Sequence, residues 1–244
     1  MRPLAILLLA LALAPAPTTA VEPFADFETG VAWAGMNDVR IPGAGGTTFS
    51  LTDDLEASPA PYYRVRLGAV LGGRHTIFGF YAPLRIASRG TFSKDVIFQG
   101  VTFPAGSSVA ATYRFDSARL TYRYGLVRSA RWEADVGVTA KVRDAAISLQ
   151  GEQYATKANT GVVPLLSFRA AWRFTPALAV VLDGDALAAS QGRAEDVSLA
   201  LEARLRDGVH ARAGYRILEG GSDTDEVYNF ALVHFVGAGL TVRL

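Results

Sequence analysis

Three histidines are the side chains of this sequence best suited to proton transfer. They are His75, His210 and His234, and the chain has no cysteine. Because histidine titrates near neutral pH, it is the usual general base where water or a serine hydroxyl must be activated. His75 and His210 each follow a glycine-containing turn, His234 lies in an apolar run, and none falls within a long polar segment. We therefore predict no catalytic site and no enzymatic activity.

Acidic residues form two small groups that could hold a hard cation. Asp223, Asp225 and Glu226 share one polar segment, and Asp53 and Asp54 share another. Ca²⁺ prefers carboxylate oxygens, but carboxylates are also common wherever a loop faces water, so the spacing is a weak indication. We predict that the protein binds no metal and needs no cofactor.

Most other charged residues alternate with apolar ones. Between residues 119 and 143, Leu120, Tyr122 and Tyr124 fall on one face of an extended strand, and Arg119 and Arg123 fall on the other. After a tight connection the alternation resumes. Successive side chains of a strand point to opposite faces, so this stretch predicts a β-hairpin with one apolar and one charged face.

The same alternation places ten strands along the chain. They are predicted at 27–36, 62–71, 75–90, the hairpin 119–143, 160–174, 177–189, two strands between 195 and 218, and 227–244. The connections are short near residues 72, 129, 175 and 207 and longer near 48, 100, 155, 192 and 222. Short turns at one end and long loops at the other are typical of membrane barrels. We predict an all-β, transmembrane, up-and-down antiparallel β-barrel of ten strands, with eight or twelve as alternatives.

The first twenty residues predict a signal peptide. A positive start, an apolar run and small residues at 18–20 indicate cleavage after Ala20, which leaves 21–244 as the barrel domain. Without Arg2 the 24 basic residues become 23, equal to the 23 acidic residues. Since nucleic-acid binding needs a basic surplus, we expect no nucleic-acid partner. With no cysteine, the chain can form neither a disulfide nor a lipid anchor on cysteine.

This architecture resembles the small bacterial outer-membrane β-barrel proteins, the class that includes the outer-membrane-protein-A-type barrels and the omptins. The resemblance covers residues 21–244 and carries no family-specific motif. It implies a location in the outer membrane of a Gram-negative envelope, contact with outer-membrane lipid, insertion by the barrel-assembly machinery and a monomeric state. The chain departs from the class by ending at Leu244 rather than at an aromatic residue. Omptins activate water with acidic residues and a histidine, and no histidine of this chain lies in a long loop.

In such a barrel the charged strand faces line the lumen. One interpretation is a filled, salt-bridged interior, which a narrow barrel favours; the other is a narrow, porin-like and anion-preferring solute conduit. Asp183 and Asp185 are the predicted partners of Arg169 and Arg173 on the neighbouring strand, and Glu28 and Asp196 also face inward. The predicted lumen charge network comprises Arg64, Arg66, Arg85, Arg119, Arg123, Glu133, Asp135, Lys141, Arg143, Arg169, Arg173, Asp183, Asp185, Glu202, Arg204, Arg212 and Arg216.

Two prolines, Pro83 and Pro164, interrupt predicted strands. Because proline cannot donate to a strand ladder, it marks an edge or a bulge. A bulge is the favoured interpretation. The alternative is a local gap in strand pairing through which a lipid or an apolar ligand passes sideways.

The alternation also predicts which way individual side chains point. Phe78 and Phe80 are expected to face outward, and Arg85 on the same strand inward. His234 is expected to face lipid unless a bulge turns it inward, because a lipid-facing histidine is costly.

The prediction for function is a non-enzymatic outer-membrane barrel, either structural or a narrow solute conduit. Two alternatives remain. One is a lipid-active or surface enzyme, and the other is an adhesion or binding barrel that acts through the polar segments 37–61 and 91–108.

Overall fold

The computed structural model describes residues 20–189 and 192–244, without the side chain of Ala189, and these residues form fifteen β-strands. Residues 1–19 of the predicted signal peptide lie outside the described part. Among the described residues, no helix is long and apolar enough to cross a membrane. The strands are β1 (Val21–Arg40), β2 (Phe49–Ser50), β3 (Glu56–Ala57), β4 (Ala60–Leu71), β5 (His75–Ala82), β6 (Arg85–Thr91), β7 (Val96–Phe98), β8 (Val101–Phe103), β9 (Ser108–Arg128), β10 (Trp132–Gln150), β11 (Tyr154–Arg173), β12 (Leu178–Ala189), β13 (Gly192–Arg206), β14 (Val209–Asp223) and β15 (Tyr228–Arg243).

Ten strand positions, which we call staves, close into a barrel. Nine of them are single strands, and the tenth consists of β5 and β6. β1 pairs with β15 on one side and with β4 on the other, and the remaining staves pair antiparallel with their neighbours along the chain. β5 and β6 form one stave, because both pair with β9, before and after Pro83 and Leu84. The predicted all-β, ten-stranded barrel is confirmed. We call the end with the turns near residues 72, 129, 175 and 207 the short-turn end, and the opposite end the long-loop end.

Several strands extend further toward the long-loop end than the sequence predicts. β11 begins at Tyr154 rather than at residue 160, and β14 continues through Asp223, where a loop is predicted over 219–226. These segments carry polar residues on both faces, such as Thr156 and Lys157, so the apolar alternation disappears while the backbone ladder with β10 continues. The segments 37–61 and 91–108 hold the short strands β2 and β3 and the hairpin of β7 and β8.

Apolar side chains form an exposed belt around the outside, bordered by aromatic residues. At the short-turn end Trp132 stacks on Trp172 with ring centres 6.0 Å apart. Toward the long-loop end Trp33 lies 5.4 Å from the His234 ring. Phe92, which follows β6 at this end, is not part of the border: it is 1% exposed and packs against another buried phenylalanine. The residues of the belt that are 50% or more exposed include Leu67, Leu120, Leu126, Trp132, Val138, Val162, Leu166, Leu199, Leu201, Leu205 and Val236.

The interior has two different regions along the barrel axis. Toward the short-turn end and at mid-height it is filled by charged side chains. At the long-loop end it is apolar, because the long connections fold their own hydrophobic residues over the barrel mouth. The buried apolar residues of this end include Phe49, Leu51, Leu55, Ile86, Phe92, Val96, Phe98, Phe103, Val109 and Leu149.

The side chains of β5 and β6 face the opposite way from the prediction: those expected outside point into the lumen, and those expected inside point outward. Phe78 and Phe80 are 5% and 6% exposed inside the lumen, whereas Tyr81 is 44% exposed outside. The prediction was wrong because it placed aromatic residues against lipid. Inside the lumen, the guanidinium of Arg119 lies 4.7 Å from the Phe80 ring centre, and that of Arg123 lies 5.2 Å from the Phe78 ring centre. Guanidinium groups stack favourably on aromatic faces, so these rings belong in a charged interior.

Candidate functional site in the lumen

Asp196 on β13 is the centre of the charged lumen. Its carboxylate accepts hydrogen bonds from three guanidinium groups: Arg64 on β4 at 3.0 Å, Arg119 on β9 at 2.5 Å and Arg216 on β14 at 2.8 Å. Asp196 is 2% exposed, and each of the three arginines is 7% exposed or less. A buried carboxylate requires paired cations. Arg64 and Arg119 come from distant strands, so their bonds to Asp196 cross the lumen, whereas Arg216 lies on the neighbouring strand β14.

Glu28 on β1 is a second acidic centre in the same layer. It accepts hydrogen bonds from Arg212 at 3.0 Å and from Arg216 at 3.2 Å, and the Tyr62 hydroxyl donates to it at 3.3 Å. Arg216 therefore joins the two acidic centres. We call the five residues Glu28, Arg64, Arg119, Asp196 and Arg216 the ionic plug.

The acidic residues of β12 pair across the lumen rather than with β11. Asp183 accepts hydrogen bonds from Arg66 at 2.7 Å and from Arg123 at 2.6 Å. Asp185 accepts one from Arg119 at 2.7 Å. These contacts surround the ionic plug on the side of the short-turn end and extend it into a network.

The predicted pairing of Asp183 and Asp185 with Arg169 and Arg173 is wrong. Both arginines instead pair with Glu133 on β10: the guanidinium of Arg169 lies 2.9 Å and that of Arg173 lies 2.6 Å from the Glu133 carboxylate. The reason is its register: Glu133 lies opposite Ala171, so the two arginines flank it on the same face.

The other predicted lumen residues lie toward the two ends. Asp135 pairs with Arg128, which belongs to the short-turn end. Glu202 lies 3.8 Å from Arg169, and Arg204 is 49% exposed beside Asp207 at the mouth. Lys141 and Arg143 lie on the opposite side of the ionic plug, facing the long-loop end.

Arg85 lies outside the barrel, and its predicted position in the lumen is wrong. Its side chain is 54% exposed and pairs with Asp116 at 2.7 Å. Asp116 also pairs with Arg114, which in turn pairs with Asp144. This charged cluster borders the apolar belt on the outer surface, since Asp144 follows the outward-facing Val142 on the same face of β10. The reversed orientation of the β5 and β6 stave is the cause.

The ionic plug separates two cavities. The cavity at the short-turn end has a volume of about 260 Å³ and is lined by charged residues such as Arg66, Arg123 and Asp183. The cavity at the long-loop end has a volume of about 480 Å³ and a mixed lining of apolar and polar side chains. Its charged lining residues are Lys141, Arg143, Lys157, Arg193, Glu219 and Glu226. No residue of 20–189 or 192–244 lines both cavities. The ionic plug therefore lies between the two cavities.

Comparison with known proteins shows a likeness of fold. No family model matches the chain, and no curated protein matches it. The outer membrane protease OmpT from Escherichia coli is 9% identical, with a TM-score of 0.56 over 91% of this chain and 97% of that one. The chain has the fold of an outer-membrane β-barrel. Its predicted resemblance to the small members of that class is confirmed at the level of the fold.

Two further solved structures are similar at lower TM-scores. The attachment invasion locus protein Ail of Yersinia pestis is 9% identical, with a TM-score of 0.38 over 90% of this chain and 98% of that one. An outer membrane channel from Pseudomonas putida F1 is 9% identical, with a TM-score of 0.42 over 94% and 97%. Scores this low add nothing to the assignment of fold.

The three histidines lie far apart on the barrel. The His75 Nδ1 atom is 2.9 Å from the Tyr122 hydroxyl on the outer surface near the short-turn end. His210 lies inside the lumen, 3.4 Å from Glu202. His234 faces outward, as strict alternation predicts, and stacks between Trp33 and Tyr215.

The acidic residues of the 219–226 segment face cations of the protein itself. Asp223 pairs with Arg40 and Glu226 with Lys157, each at 3.8 Å. Among the described residues, no group of three or more histidine and acidic side chains is arranged to hold a metal ion.

One member of the lumen network is absent from the prediction. Asp26 on β1 accepts hydrogen bonds from Arg212 and from the Thr241 hydroxyl. It lies two residues before Glu28 on the same face, but the predicted first strand starts at residue 27. An earlier start for that strand would have revealed it.

Proposed function

We propose that the protein is a non-enzymatic outer-membrane barrel with a structural role, and that it does not conduct solutes along its axis. The observation that carries this proposal is the contact of Asp196 with Arg64 and Arg119 across the lumen and with Arg216 on the neighbouring strand. Each charged group of the plug pairs with a group of opposite charge, so none of the five is left to bind a passing ion. A water path would require breaking several buried, charge-assisted hydrogen bonds at once.

The outer surface supports a location in the outer membrane. Large apolar side chains are exposed all around the barrel, which water-soluble proteins avoid but a lipid-facing belt requires. The aromatic borders formed by Trp132 and Trp172 at one end and by Trp33 at the other match the two interfaces of a bilayer. The proposal includes insertion by the barrel-assembly machinery and a monomeric state.

The positions of the histidines support a non-enzymatic role. His75 and His234 face outward at the two borders of the belt, and each is next to a tyrosine. His210 lies at the short-turn end of the lumen beside Glu202. A surface hydrolase would need a base at the rim of the long-loop end, where substrate arrives.

The direct test is the current through the refolded protein in a planar bilayer under a salt gradient. We expect no stable conductance from the native chain. A variant that replaces three plug residues, Arg64→Ser, Arg119→Ser and Asp196→Ser, removes charge of both signs and should conduct. Stable conductance from the native chain, with an anion-directed reversal potential, would overturn the proposal and establish the narrow conduit instead.

A further inference from the structure

The ladder between β11 and β12 is incomplete. It runs from Arg173 opposite Ala179 to Leu166 opposite Ala186 and stops there. β11 nevertheless continues to Tyr154 in full pairing with β10, and β12 continues to Ala189 in pairing with β13. The two staves therefore separate above Leu166, which leaves a split in the barrel wall.

The split begins at Pro164 and opens beside the apolar belt. Proline has no N–H to donate, so it ends a ladder at its own position. On the outer face next to it, Val162 is 72% exposed and Leu166 is 62% exposed. Both residues belong to the part of the belt near the long-loop end, so the split faces the outer leaflet of the proposed membrane.

The cavity of the long-loop end borders this split. Val163 on β11 and Leu187 on β12 line it from the two separated staves. Its volume of about 480 Å³ is in the range of small-molecule sites. Further apolar lining comes from Phe115, Ile147, Leu218 and Val233.

The cavity carries unbalanced positive charge. Two of its four basic residues, Lys157 and Arg193, pair with Glu226 and Glu219, which leaves Lys141 and Arg143. Lys141 is 3% exposed, its amine lies 4.7 Å from the Phe115 ring centre, and no carboxylate of the described residues pairs with it. Directly opposite Lys141 on β9 lies Arg119, which is also positively charged. Its guanidinium is already paired with Asp185 and Asp196. Two residues along the same face, the buried Nε of Arg143 has no hydrogen-bond partner among the described residues.

We infer that this cavity binds a long-chain aliphatic carboxylate, which reaches it from the outer leaflet through the split between β11 and β12. The carboxylate would lie against the Lys141 amine and the Arg143 Nε, where a buried cation lacks a partner. The chain would fill the apolar lining. The inference goes beyond the proposed structural role and does not depend on whether the plug conducts.

The headgroup assignment is tested by equilibrium binding of radiolabelled palmitate to the barrel in nanodiscs, with empty nanodiscs subtracted. Lys141→Met keeps the length of the side chain and removes its charge. We expect palmitate to bind at least ten-fold more weakly to this variant. Hexadecanol, which has the same chain without the charge, should bind the native and variant proteins equally.

Lys94→Met is the matched control, because Lys94 is exposed in the 91–108 segment, away from the cavity. It should leave palmitate binding unchanged. Equal palmitate affinity for the native protein and Lys141→Met, or no saturable palmitate binding to the native protein, would overturn the inference. Weakening of palmitate and hexadecanol alike would mean an apolar cavity without carboxylate recognition and would also overturn it.

The route through the split is tested by a reversible cross-link. Continuing the register beyond Leu166 would place Leu165 opposite Leu187, within the reach of a disulfide if the staves close. Since the chain has no cysteine, Leu165→Cys with Leu187→Cys forms a single defined bond. We expect the oxidised form to take up palmitate at least ten-fold more slowly than the reduced form.

The control cross-link lies in the paired part of the same two staves. Ala171 and Val181 are opposite each other in the ladder, so Ala171→Cys with Val181→Cys leaves the split open. Its oxidised and reduced forms should take up palmitate at equal rates. Equal uptake by the oxidised and reduced forms of the first pair would exclude the split as the route.

Discussion

At the scale of single residues, the barrel depends most on the carboxylate that holds three arginines together. Removing one partner of a buried charged group leaves the others uncompensated, which is far more costly than losing an exposed pair. The carboxylate of Asp196 pairs with three positively charged side chains, Arg64, Arg119 and Arg216. Its charge therefore offsets the mutual repulsion of three guanidinium groups in a confined space.

We predict that Asp196→Asn lowers the free energy of unfolding by about 3 kcal/mol, at the lower end of what breaking a buried ion pair costs. The substitution keeps the size of the side chain and one acceptor oxygen, so the loss reports charge. Urea titration of the barrel in detergent, followed by the mobility of unheated samples on a gel, measures it.

Asp207→Asn is the matched control for this change. Asp207 is fully exposed in a short turn, 3.9 Å from Arg204, and exposed pairs contribute little. Its unfolding midpoint should equal that of the native protein. Equal midpoints for Asp196→Asn and Asp207→Asn would show that the plug contributes nothing to stability.

At the scale of strands, some positions must be glycine because the backbone of the neighbouring strand lies too close for a Cβ atom. A Cβ atom added at Gly137 on β10 would lie 1.8 Å from the backbone oxygen of Tyr122 on β9. A Cβ at Gly79 on β5 would meet nothing nearer than 4.0 Å. Both glycines lie inside strands, yet only the first supports a close approach of two staves.

We predict that Gly137→Ala destabilises the barrel by about 3 kcal/mol, the upper part of the usual range for single substitutions, because β9 and β10 must move apart. Gly79→Ala should be neutral or slightly stabilising, since alanine reduces the freedom of the unfolded chain. The same urea titration compares the two variants. A smaller loss for Gly137→Ala than for Gly79→Ala would contradict the register of the hairpin.

The strands also show how far the sequence predicts the structure. Alternation of period two correctly predicts the ten staves, because a membrane barrel has one apolar and one enclosed face. It fails for Phe78 and Phe80, since a guanidinium makes an aromatic ring as suitable for the lumen as a polar residue. It also fails beyond the belt, where polar residues occupy both faces of β11 and β14 and the period disappears.

His234 shows a related limit of the sequence. Its outward direction follows from alternation, but the neighbours that make the position tolerable do not. β1 has a register shift between Ala34 and Met36, and a Cβ at Gly35 would lie 2.3 Å from the His234 ring nitrogen Nε2. The bulge therefore lies on the partner strand, where it makes room for the ring, and does not turn the histidine inward. Pairing between distant strands decides this, and no local pattern contains it.

At the scale of the whole molecule, two different forces hold the two ends of the interior. Buried ion pairs join the staves at mid-height, whereas the long-loop end has an apolar core like that of a water-soluble domain. Phe98 on β7 is fully buried there and packs edge-on against Phe49, with ring centres 5.9 Å apart. Because the long connections contribute this core, it should be able to loosen while the ten staves stay closed.

We predict that Phe98→Ala exposes the segments 41–59 and 92–107 to proteases without unfolding the barrel. Truncating a buried phenylalanine typically costs about 3–5 kcal/mol, and here that loss falls on contacts between loops rather than on the strand ladder. Limited proteolysis should therefore cut these segments, while the unheated protein keeps its folded mobility on a gel.

Ile97→Ala is the matched control, because Ile97 is adjacent to Phe98 on β7, points the other way and is 40% exposed. It should leave both readouts unchanged. If Phe98→Ala abolished the folded mobility, the loop core and the barrel would form one cooperative unit, and the separation of the two forces along the barrel axis would be wrong.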